Sequence, residues 1–139
     1  MLFRSRTQAS LLALNLAPLE AEHGDTLAAF DHLTLAIRNF HNGGDTTTIR
    51  VPLAVLAALF DRLGRYEPAA TIAGFALSPM AAAGVPELST AITHLRDVLG
   101  EATYELLARK GETMTTAAMA AYAYDQIDQA RTELEHQAG

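Results

Sequence analysis

Apolar residues recur at steps of three and four along most of the chain, and most clearly in residues 45–77. Leu53, Leu56, Leu59, Phe60 and Leu63 make one stripe on a helix. Gly64 stands just past the last of them, where a helix end favours a left-handed residue. Pro68 falls in the first turn of a following helix, where a missing N–H costs little. Ala69, Ala73 and Ala76 then form a second stripe of small residues, which lets two helices approach closely. The stretch predicts two antiparallel helices joined through Leu63-Gly64-Arg65-Tyr66.

The same period extends in both directions. A first helix is expected over residues 5–22, with Ala9, Leu12, Ala13, Leu16 and Leu19 inward and a kink at Pro18. A second, capped by Asp25 or Thr26, runs to Phe40 with Leu27, Phe30, Leu33 and Ile37 on one side. His41-Asn42-Gly43-Gly44 stops it. The helix carrying Leu53 should start at Thr46 or Thr47 and bend at an interior Pro52. Its partner runs over 66–77. Ser78-Pro79 either kinks that partner or opens a separate turn ending at Gly84. A further helix over 86–99 turns Leu88, Ile92, Leu95 and Leu99 inward. A short one follows over 101–109, ended by Lys110-Gly111. The last, from Thr115 or Thr116 to His136, would dock through Ala117, Ala118, Ala121, Ile127, Ala130 and Leu134.

These elements predict an all-α fold of about seven helices. They also repeat. A shift of 40 positions places Leu16 on Leu56, Leu19 on Leu59, Ala29 on Ala69, Ala36 on Ala76 and Ile37 on Leu77. A hairpin that cannot bury its own face must stack on a neighbour. Gly64-Arg65-Tyr66-Glu67-Pro68-Ala69 with Ala73 and Ala76 resembles the turn and second helix of a tetratricopeptide repeat (TPR). Gly24-Asp25-Thr26-Leu27-Ala28-Ala29 with Leu33 and Ala36 is the other copy. Leu53 and Ala13 stand where that family carries a large aromatic, and its usual period is shorter, about 34 residues. The resemblance implies antiparallel hairpins stacked as a short TPR-like solenoid. Residues 1–83 would supply two hairpins and residues 84–139 a C-terminal helical cap of the same compact domain. Leu99-Gly100-Glu101-Ala102, Arg109-Lys110-Gly111 and Met114-Thr115 through Ala121-Tyr122-Ala123 resemble the tail of large actinobacterial signalling proteins. Those join an ATPase module, sometimes an adenylate cyclase domain or a LuxR-type DNA-binding domain, to a helical-repeat region. This sequence carries no phosphate-binding Gly-Lys-Ser/Thr loop, no cyclase domain and no recognisable DNA-reading helix, so the resemblance implies only the helical-repeat end of such a protein, or a standalone remnant of it.

Composition narrows the function classes. Half the residues are apolar but only 6% are aromatic, so the core must be mainly Ala and Leu. Strand-favouring types are scarce. The absence of Cys excludes disulfides and thiolate metal sites. Net charge is −6, and residues 84–139 hold nine acidic side chains against four basic. Nothing supplies the basic face that direct nucleic-acid binding needs. Residues 68–86 carry no charge but are broken by Pro68, Pro79 and Pro86, which argues against membrane insertion. Without a visible signal peptide, a cytoplasmic location is the default.

Candidate chemistry is sparse. No His pair has metalloprotease spacing, and His32 beside Asp31 would need a third ligand from elsewhere. Gly43-Gly44-Asp45-Thr46-Thr47-Thr48 puts hydroxyls and glycines at a helix start, for which capping is a sufficient reason. Tyr122, Tyr124, Asp125 and Asp128 share a helix and read as an exposed polar face. Met80, Met114 and Met119 read as packing residues more readily than as an adaptable peptide-binding stripe.

No catalytic, metal or cofactor signature emerges. The sequence therefore predicts a non-catalytic protein–protein interaction module of a signalling or transcription-regulatory protein. It would grip a peptide or a neighbouring domain on the concave face of the array. Gln8, Asn15, Glu22, Arg50, Asp61 and Arg62 are the less apolar positions of the helices expected to line that face. The alternative is a small helical ligand-binding domain or enzyme with an interhelical pocket. The first predicted helix is apolar on two sides, so a homodimer through Leu11, Leu12 and Leu14 is expected.

Overall fold

The structure, a computed structural model, describes residues 26–138. Seven α-helices and no strand occur among them. They are α1 (Thr26–Asn42), α2 (Arg50–Arg62), α3 (Tyr66–Ala76), α4 (Pro79–Gly84), α5 (Pro86–Leu99), α6 (Glu101–Glu112) and α7 (Thr116–Ala138). The helix expected over 5–22 and its Pro18 kink lie outside the described residues.

Helices α1 and α2 end in the same way. At α1, Gly44 N–H donates to His41 O and Asp45 N–H to Phe40 O. At α2, Gly64 N–H donates to Asp61 O and Arg65 N–H to Phe60 O. Both are Schellman closures, which need a residue at positive φ. Gly44 has φ +72° and Gly64 has φ +79°, so the left-handed turn expected at Gly64 is present.

Pro52 does not bend its helix. Thr46 to Ile49 form turns, and α2 begins at Arg50, so Pro52 falls in the first turn, where no intrahelical N–H is lost. Pro79 likewise starts α4 and does not kink α3. The Ser78 hydroxyl caps that start by accepting from Ala81 N–H at 3.2 Å. This stop leaves Leu77 beyond α3 and 55% exposed, whereas its repeat counterpart Ile37 is fully buried. The pairing of those two positions by the 40-residue shift therefore fails.

The packing centres on α3, which touches α2, α5, α6 and α7. Its alanine stripe is buried as expected, but its closest neighbour is α6. Gly74 faces the Ala108 backbone and Gly111 faces the Thr71 backbone, so the two helices run antiparallel with their main chains nearly touching. Gly111 therefore does not stop α6. It lies buried inside a helix that continues to Glu112. Phe30 of α1 and Phe60 of α2 pack with ring centroids 5.7 Å apart. Helix α7 returns to lie along α1, where Arg131 bonds Asp31. It docks through Met119, Ala120, Ala123, Ile127 and Ala130. Of the face expected for it, Ile127 and Ala130 are buried and Leu134 partly so, while Ala117, Ala118 and Ala121 are exposed. Alanines surround the start of this helix, and the bulkier Met119 and Ile127 set its phase.

Candidate functional site

The Schellman closure at Gly64 delivers Arg65 to the start of α3, and Arg65 reaches sideways to α7. Its Nη1 donates to Glu133 Oε2 at 2.6 Å. The Arg65 side chain is 20% exposed and that of Glu133 60%. Arg65 Nε is buried and has no hydrogen-bond partner. A buried donor left unmatched costs ~1–3 kcal/mol.

This bridge spans a groove. On one side an opening of about 410 Å³ is lined by the α2–α3 turn, by Leu99 at the end of α5, and by Gln126 and Glu133 of α7. On the other side an opening of about 490 Å³ is bounded by Arg65, Asp128, Gln129, Thr132, Glu133 and His136. Leu63, Ala130 and Leu134 supply apolar wall beneath the bridge. Arg65 is the sole Lys or Arg among the described lining residues, against Glu67, Asp128 and Glu133. Once Arg65 is matched by Glu133, the remaining charge of the groove is negative.

The groove wall is braced from behind. The Tyr66 ring meets the His94 ring edge-on at 5.7 Å. His94 Nδ1 lies 2.7 Å from Asp61 Oδ1. Asp61 is only 9% exposed and occupies the last turn of α2, where the helix dipole opposes a carboxylate. A buried carboxylate needs a partner, and His94 is it. The pair fixes the imidazole orientation, and the imidazole in turn supports Tyr66.

Of the residues expected to bind a partner, Arg50, Asp61 and Arg62 lie on α2, and Gln8, Asn15 and Glu22 lie outside the described residues. So do Leu11, Leu12 and Leu14 of the expected dimer face. Arg50 and Asp61 stand about 16 Å apart along the axis at 1.5 Å per residue. Arg50 donates to Phe75 O at the end of α3, with its guanidinium 4.3 Å from the centre of the Phe75 ring. Asp61 is engaged by His94, while Arg62 is exposed. The structure therefore gathers a different set, Arg65, Tyr66, Glu67, Gln126 and Glu133. Arg65 and Glu133 are 68 positions apart, which no local pattern reveals.

The other candidates take ordinary roles. Asp45 accepts from Thr48 N–H at 2.8 Å and Thr47 N–H at 3.2 Å, so it caps the turn before α2. The Thr48 N–H foremost holds its carboxyl below the usual value. Tyr122 and Tyr124 are partly buried, and that burial raises both phenols. Asp125 and Asp128 are exposed. Met119 is fully buried, Met114 packs on the core, and Met80 is exposed. Asp31 is engaged by Arg131, and among the described residues no cluster of His, Asp or Glu could hold a metal ion. Among the same residues no helix is long and apolar enough to cross a membrane. No protein-family model matches the chain, and neither a curated protein nor a solved structure does.

Proposed function

We propose that this chain is a non-catalytic interaction module of a signalling or transcription-regulatory protein, working in the cytoplasm. It is built from TPR-like hairpins in residues 1–83 and closed by a helical cap in residues 84–139. Its partner is a peptide segment or a neighbouring domain, held in the groove over the Arg65–Glu133 bridge. The observation that carries this reading is the bridge itself. It joins two distant segments across an open polar groove. A net charge of −6 weighs against direct nucleic-acid binding. A homodimer through Leu11, Leu12 and Leu14 belongs to the same proposal, and sedimentation at twice the chain mass is its check.

The second reading is a ligand-binding domain or enzyme with an interhelical pocket. The Asp61–His94 pair favours it, because a carboxylate-oriented imidazole is a recurrent catalytic part. A library of immobilised peptides, probed with the wild-type chain and with Arg65→Ala, separates the two. The interaction reading expects peptides that bind the wild type and lose the variant. If no peptide binds, and mixed nucleotides or metabolites raise the melting temperature, the second reading replaces it.

A further inference from the structure

We draw no further inference here: the strongest candidate, the half-exposed His94 imidazole of α5 that the buried Asp61 carboxylate orients at the end of α2, belongs to the site already described, as the brace behind Tyr66, and nothing in the structure shows what its outer ring nitrogen would meet.

Discussion

Replacing Gly111 by Ala tests the close approach of α3 and α6. A Cβ built on Gly111 would fall inside the van der Waals envelope of the Thr71 carbonyl oxygen, and one on Gly74 would meet the Ala108 backbone. Neither neighbour is a side chain that can rotate away, so α3 and α6 must separate. Overpacking costs typically ~1–3 kcal/mol and sometimes more, and a rigid backbone neighbour puts this site at the upper end. Alanine returns about 1 kcal/mol of helix propensity. The expected net loss is about 2 kcal/mol, a fall in melting temperature of roughly 6 °C. Gly84→Ala is the control. Its Cβ meets nothing within 4 Å, so it should be neutral or gain ~0.4–1 kcal/mol from a stiffer unfolded chain. Denaturant titration of the three proteins reads both signs. Gly111→Ala as stable as the wild type would refute the close approach. The Gly74→Ala, Gly111→Ala double variant should cost less than the sum of the singles, because both relieve strain by the same separation.

Two further outcomes follow from the structure. Gly64→Val should lose about 1–2 kcal/mol or more, because a β-branched residue is strained at φ +79° although its Cβ meets nothing within 4 Å; unchanged stability on denaturant titration would remove the left-handed closure. Tyr104 is 2% exposed, and burial foremost raises its phenol above the ordinary value, against a lowering by Arg96. Its contribution is thus fully present below the unfolded phenol pKa of ~10 and is lost as pH rises from there through the raised folded value. Alkaline denaturation should be shallower in Tyr104→Phe, and tyrosinate absorbance should show a late-titrating phenol in the wild type. A Tyr104 that titrates with exposed phenols would contradict this.

Local features were legible and long-range ones were not. The stripes through Phe30, Leu33 and Ile37, and through Leu53, Leu56 and Phe60, are bulky against polar surroundings, and all six residues are buried. Gly64 announced its turn because a left-handed helix end has few other solutions. Lys110-Gly111 carries the same local signature, yet there glycine serves a neighbour from a distant segment. The threonine run before Pro52 has helical period but Asp45 folds it into turns, so Pro52 stands at a helix start and not inside a helix. The phase of α7 is not legible in its sequence, because Ala117, Ala118, Ala120 and Ala121 offer no contrast. Asp61 looked like a surface acid until α5 brought His94 to it. The groove was out of reach for the same reason, since half of it arrives on α7.

That arrival is the claim on which the groove depends, and the distance between α1 and α7 tests it. The chain has no Cys, so Asp31→Cys with Arg131→Cys accepts one spin label on each helix without further change. The ion pair lost is a surface pair worth ~0–1 kcal/mol. Packed helix axes lie about 8–10 Å apart, so dipolar spectroscopy on doubly labelled chain diluted into unlabelled chain should give a single population below roughly 20 Å. In an open stack of hairpins α1 and α7 stand three layers apart, about 25–30 Å between axes. A population centred there would contradict the closure and dissolve the groove with it.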